Sequence, residues 1–473
     1  MRRILLLAVA VAAAVFAATS TRASAAAVPS WVLLPIGPFP HCSPVLDNCD
    51  NDIWSSDVNS RGWVAGGGFP DFHIAWIWKG GSLIQLGTGS GAFTAGADVT
   101  AMNDAGDVTG DMEDFGGIQH AYLHVNGSAT FTDIGTLGGA QSIGQGIDAN
   151  DVIVGSSDTA GGASRAFRWA GGVMTDLGTL GGQNSRATAI AAGGLIAGSA
   201  QTAAGHWHAF LIRAGHMQDL GSLGARDSFA LSVNAAGTVV GFTEMRTGVR
   251  DGFVVRNGQR TDITARLKAA GLPAVSSVAA DITDAGDVVG SATRADGTRF
   301  GYVITGGKVV SLDRRTVTCC AAVRPGALNS ALQISSDGDV DQVTAKVWEP
   351  VQVFDDGSPA LVHTGSWTRH TDSGAWLGHV STSTHAGDSV SLSFTGRRVW
   401  WVAPMGVGGG IARVFVDGTL AATVDLSETP TGIHRRQTAF LKSWPAVGQH
   451  TIKVVVGTRV PRVDVDAFAV STR

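Results

Sequence analysis

At residues 176–182 the chain reads DLGTLGG, and at 133–139, forty-three residues earlier, it reads DIGTLGG. A glycine-rich run beside an apolar segment is either a phosphate-cradling loop or punctuation in a repeated unit. Counting decides between them. The Asp that opens each run recurs at Asp133, Asp176, Asp219 and Asp262, always at the same interval, the last in the decayed form TDIT. A phosphate loop of the Walker type also needs Gly-Lys-Ser/Thr opening a helix. GTLGGQNS (178–185) has no Lys and runs into alternating residues that read as a strand. The glycines are turns between repeated units.

Two further anchors share the period. An apolar–polar–x–x–Gly–x–Val–x–Gly frame reads VNSRGWVAG (58–66), MNDAGDVTG (102–110), IDANDVIVG (147–155) and IAAGGLIAG (190–198). It continues as VNAAGTVVG (233–241), ITDAGDVVG (282–290) and a degraded ISSDGDVDQ (334–342). A small residue then precedes an aromatic one in Ala75-Trp76, Ala121-Tyr122, Ala166-Phe167, Ala209-Phe210, Gly252-Phe253 and Gly301-Tyr302, with AKVWEP (345–350) in the seventh copy.

Each unit reads as four short strands, with period-two patterning and Gly, Asn or Asp at the junctions. Four strands in a unit of this length make a propeller blade, and a solenoid is the alternative. WVLLPIG (31–37) resembles a fourth strand with no preceding three, and the seventh copy, ending near Phe354, lacks a fourth. Pairing the two would close a ring and remove exposed sheet edges. The expected fold is all-β: a seven-bladed β-propeller over 26–354, then an antiparallel β-sandwich over 355–473.

The segment DLGTLGGQNSRATAIAAGGLIAGSAQTAAGHWHAFLI (176–212) is similar to the HAF extracellular repeat family nearly throughout, and 133–169 less closely. Gln85-Leu86-Gly87 and Ser311-Leu312-Asp313 replace the opening anchor in the units that depart most. The resemblance covers about 320 residues. It implies a secreted repeat protein and no particular chemistry.

Residues 1–25 read as a secretory signal peptide: Arg2 and Arg3, an apolar run from Leu5 to Ala18, then Ala23-Ser24-Ala25. A secreted, extracellular location and no membrane span are expected. Without Arg2, Arg3 and Arg22 the formal charge falls from −5 to −8, with 31 Lys+Arg against 39 Asp+Glu. An acidic chain without a basic run is a poor nucleic-acid binder. In an exported chain Cys42, Cys49, Cys319 and Cys320 are disulfide candidates, either as Cys42–Cys49 with Cys319–Cys320 or as two cross-links between the segments. Their spacing does not suit zinc.

After FDDGSP (354–359) the period stops and longer alternating segments follow, among them SVSLSFTG (389–396), RVWWVAP (398–404) and HTIKVVV (450–456). GSWTR (365–369), the tryptophan pair, VFVDG (414–418) and VDVDAF (463–468) resemble galactose-binding-like jelly rolls. Trp367, Arg369, Trp376, Arg397 and Trp401 are the ligand candidates, because sugars stack on indole and bond to polar neighbours. Trp400 and Trp401 are adjacent and face opposite ways, so one of them is expected in the core.

Other signals favour structural roles. His206 and His208 flank Trp207 without a third ligand nearby, and His208 fills a repeat position that His120 also fills. DAGD at 104–107 and 284–287 resembles calcium loops, but Asx-bonded turns explain it; DGDVD (337–341) is the best exception. No unrepeated acid–His–Arg cluster stands out, so no catalytic residue, metal or cofactor is assigned. The expected function is a monomeric, secreted, non-catalytic binding protein for an extracellular glycan or cell-surface component. The rival reading is a secreted carbohydrate-active hydrolase or lyase with its site at the propeller axis. Two or more carboxylates converging there beside a His or Arg would favour the rival, and an axis lined by Ala, Ser and Gly would sink it.

Overall fold

The computed structural model describes residues 30–35, 53–68, 74–79, 82–312, 324–328, 334–337, 346–372, 375–406, 408–427, 433–458 and 462–472. The signal segment, all four cysteines and residues 338–341 of DGDVD lie outside the described residues. Among the described residues the fold is all-β apart from short helical segments.

Six consecutive units each fold as a four-stranded antiparallel sheet with its strands in sequence order. The first comprises Ile53–Val58, Val64–Gly68, Ala75–Lys79 and Ser82–Gly87. The fourth comprises Gly181–Ala191, Leu195–Thr202, Trp207–Arg213 and His216–Asp219. A seventh set, Arg324–Leu328, Ile334–Asp337 and Lys346–Asp355, takes its fourth strand from the N-terminus: Ser30–Pro35 pairs antiparallel with Lys346–Asp355. The N-terminal strand therefore completes the last set, as the unmatched strands require.

The recurring anchors now have physical reasons. Asp133, Asp176 and Asp219 each accept from the N–H two residues on, at 2.7–2.8 Å, and those residues, Gly135, Gly178 and Gly221, have positive φ. Ser142, Ser185 and Ser228 tie neighbouring sheets together. Each hydroxyl donates to that glycine's carbonyl at 2.6 Å and accepts from the backbone N–H of Ala121, Ala166 or Ala209. At the decayed copy no glycine follows Asp262. Its carboxylate instead accepts from Ala265 N–H at 2.9 Å and caps a helix, Ile263–Ala269, that the strand pattern did not foretell.

The last glycine of the Val-x-Gly frame marks a close approach, not a turn. A Cβ at Gly110, Gly155, Gly198, Gly241 or Gly290 would strike the carbonyl of the facing first strand. The paired aromatics Trp76, Tyr122, Phe167, Phe210, Phe253 and Tyr302 are fully buried and fill the core.

The C-terminal segment forms a sandwich-like arrangement. Its larger sheet contains Ser389–Gly406, Ile433–Val456, Ile411–Val416, Thr419–Asp425 and Ala467–Ser471, and a three-stranded sheet contains Thr368–Thr371, His379–Ser383 and Val463–Val465. Lys346–Asp355 runs through both parts, pairing first with Ser30–Pro35 and then with Ala467–Ser471.

Candidate active site

The first strand of every four-stranded sheet carries a bulge. It falls between Ser55 and Asp57, Val99 and Ala101, Gly144 and Gly146, Ala187 and Ala189, Ala230 and Ser232, and Ala279 and Asp281. A bulge re-aims the residues after it. Beyond each bulge one apolar residue, Val58, Met102, Ile147, Ile190, Val233 or Ile282, lines a common cavity of about 720 Å³ to which all six sheets contribute. Asn59, Asn103 and Asn234 brace its rim, each amide donating to a backbone carbonyl of the next sheet at 3.0–3.2 Å.

The residue just before that apolar position is Ala101, Gly146, Ala189 or Ser232 in four sheets and a carboxylate, Asp57 or Asp281, in the first and sixth. Asp57 accepts from Val58 N–H at 2.7 Å and from Met102 N–H of the next sheet at 2.8 Å. Asp281 accepts from Ser232 Oγ–H at 2.6 Å and from Ile282 N–H at 2.8 Å. Burial pushes the Asp57 carboxyl up to about 7; the two backbone N–H groups oppose the rise, and the negative charges of Asp281 and Asp104 add to it. One carboxyl thus keeps a proton near neutral pH within electrostatic reach of a second. That is the requirement for general acid–base work. Neither residue stood out in the repeat reading; their departure from the small residues of the other copies was the available signal.

The sandwich residues are placed differently from expectation. Trp401 is fully buried in the sandwich core and Trp376 is 8% exposed, so neither offers a face to a ligand. Both members of the tryptophan pair are buried, because Trp400 packs against the first sheet. Arg369 is held by Asp356, with Nε–Oδ2 at 2.9 Å, and Arg397 Nε donates to the Trp444 carbonyl at 3.1 Å. Trp367 stays partly exposed, with His363 edge-on at 5.6 Å. The five candidates do not converge on one cavity. A cavity of about 610 Å³ lies elsewhere on the sandwich, where His450 Nδ1 meets Asp417 at 2.8 Å and its ring stacks on Trp444 at 3.8 Å.

The repeat histidines are paired within their sheets: His120 with Asp133 at 2.9 Å and His208 with Asp219 at 3.0 Å. His206 and His208 share a cavity of about 430 Å³ with Arg226 and Arg246. The DAGD carboxylates stitch sheets together, Asp104 accepting from Ser60 N–H at 2.9 Å and Asp284 from Ala235 N–H at 2.8 Å. Among the described residues, no helix is long and apolar enough to cross a membrane.

No family model matches the chain. It is 33% identical over 124 residues to an A type blood N-acetyl-α-D-galactosamine deacetylase of Flavonifractor plautii, covering 26% of this chain and 15% of that protein. It is 35% identical over 120 residues to an A type blood α-D-galactosamine galactosaminidase of the same organism, covering 24% of this chain and 10% of that protein. The chain thus spans a small part of the length of either relative. Similar solved structures include a family two carbohydrate esterase from Cellvibrio japonicus, with 16% identity over 26% of this chain and 34% of that one, at a TM-score of 0.21. A family 35 carbohydrate-binding module from Clostridium thermocellum matches with 15% identity over 25% of this chain and 98% of that one, at a TM-score of 0.20. Both relatives are named as enzymes of carbohydrate chemistry, and this overturns the expectation of a non-catalytic binding protein.

Proposed function

We propose that the chain is a secreted carbohydrate-active hydrolase in which Asp57 and Asp281 form the acid–base pair. The observation that carries this reading is the presence of two carboxylates, unmatched in the other units, beside the cavity that all six sheets share. In glycoside hydrolysis one carboxylic acid protonates the leaving oxygen while a second carboxylate activates water or attacks the sugar. Asp57, which retains its proton near neutral pH, is the acid, and Asp281 is the carboxylate. The carbohydrate chemistry of the two relatives supports the substrate class.

The architecture belonging to this reading is a seven-bladed propeller of HAF-type repeats over 26–354, joined to a jelly-roll unit over 355–473, with 1–25 as the signal peptide. Six sheets around one cavity, and a seventh set completed by the N-terminal strand, support the closed ring. An extracellular glycan is then the partner.

The test is release of p-nitrophenol from a panel of aryl glycosides, N-acetylgalactosaminide and galactoside included. Asp57→Asn and Asp281→Asn should each lower kcat/KM by about 100-fold or more, the range that positioned proton transfer supplies. Turnover within tenfold of the native chain in both variants, or none from the native chain on any glycoside, overturns the proposal.

A further inference from the structure

Among the described residues, no anionic side chain pairs with the charge of Arg186. It sits on the first strand of the fourth sheet, two positions before the bulge, where the other sheets place Trp54, Asp98, Ile143, Phe229 and Val278. Its guanidinium lies over Trp207 at 5.7 Å and over Phe229 of the fifth sheet at 5.3 Å. Its Nε is buried without a hydrogen-bond partner, and so is the hydroxyl of Ser199, its cross-strand neighbour.

The charged groups nearby are committed elsewhere. Asp227 accepts from Trp207 N–H at 2.9 Å and meets Arg226 at 3.4 Å. Arg250 lies over Phe242 at 4.7 Å and pairs with Glu244 at 3.6 Å. Burial lowers the pKa of Arg186 from the usual arginine value, as expected of a desolvated cation with no counter-charge. A desolvated guanidinium without an anion is costly, and its planar fork of donors matches a carboxylate or a sulfate. The half-exposed indole of Trp207 beside it offers a surface on which a sugar ring stacks.

We propose that Arg186 and Trp207 form a subsite for an anionic sugar, its carboxylate or sulfate ester seated on the guanidinium and its ring against the indole. The proposal names the substrate class for the hydrolase reading and rests on it for the role of the bound sugar. Arg186 precedes Ala189, the counterpart of Asp57, by three residues, about 10 Å of strand.

The experiment is calorimetric titration of the full chain carrying Asp57→Asn with D-glucuronate, galactose 6-sulfate and galactose. At least one anionic sugar should bind ten or more times tighter than galactose. Glucuronate preference identifies a carboxylate and galactose 6-sulfate preference a sulfate ester. Arg186→Met should abolish the preference. Arg186→Lys, which keeps the charge and loses the fork, should reduce it. Equal affinity for all three sugars, or no binding of any, overturns the proposal, as does a preference unchanged in a folded Arg186→Met chain. Because hydrolysis is not read, inactivity toward aryl glycosides sinks the hydrolase reading and leaves this measurement standing.

Discussion

Trp400 and Trp401 are consecutive on one strand and buried on its opposite faces. Trp401 fills the sandwich core with Val414, Ile452 and Phe468, while Trp400 joins Trp376, Ala467 and Ala469 against Trp76 and Trp78 of the first sheet. The sandwich is therefore bonded to the repeat region through an apolar core of its own. Trp400→Ala should destabilise by about 3–5 kcal/mol, the usual cost of removing a buried indole. In a double-mutant cycle with Trp78→Ala the pair should couple by about 0.5–3 kcal/mol, read from denaturant midpoints. Additive effects would mean that the two tryptophans do not share a core.

The Ser185 hydroxyl satisfies two backbone groups at once, accepting from Ala166 N–H at 2.9 Å and donating to the Gly178 carbonyl at 2.6 Å. Ser185→Ala leaves both without that partner at a buried position. The expected loss is about 1–3 kcal/mol for each group left unsatisfied. Hydrogen exchange at the Ala166 amide should accelerate more than at amides of the sixth sheet.

The repeat was legible because its anchors do local work wherever they stand. An Asx turn needs Asp and then glycine, a stitch needs Ser142, Ser185 or Ser228, and a core needs an aromatic. Those requirements survive translation along the chain, so counting found them. Asp57 and Asp281 were invisible to the same method, because comparing copies averages away the residue that departs from the frame. Trp376 and Trp401 were misplaced for another reason. Alternation along a strand separates its two faces, but which face meets solvent depends on what packs over it: for Trp376 and Trp400 that is the first sheet, about 300 positions away in sequence, and for Trp401 the other strands of the sandwich. Arg186 lay between the repeated anchors of the fourth unit, and a frame of turns and core positions says nothing about a residue that stands between them.

Two glycines of the fourth unit should respond to alanine very differently. At Gly198 a Cβ meets the Arg186 carbonyl and the buried ring of Phe210, so Gly198→Ala must push the first two strands apart. Gly205 has a positive φ of 80° in open space, and alanine there meets only backbone strain. Gly205→Ala should cost about 1 kcal/mol and Gly198→Ala several times more, in the range of overpacked cores or above. Urea denaturation of both variants checks the order; equal costs would mean that the frame's last glycine is conserved in position for turn geometry and not for close approach.

Asp57 ties stability to pH with a definite sign. Its carboxyl is raised from an ordinary 3.8 to about 7 in the folded chain, so between those limits the native state binds more protons than the unfolded state. Stability from this group is then fully present below about pH 4 and declines as pH rises toward 7, with a limiting slope of about 1.4 kcal/mol per pH unit. Solvent reaching the half-buried side chain makes the observed slope shallower. Asp57→Asn, which cannot ionise, should flatten the dependence over that window, while Asp104→Asn on the exposed rim, which removes only a minor contribution to the raised pKa, should lessen it slightly. Urea midpoints at pH 4, 5, 6 and 7 read the slope directly. A native slope that Asp57→Asn leaves unchanged would assign the proton to another group and remove Asp57 from the acid role.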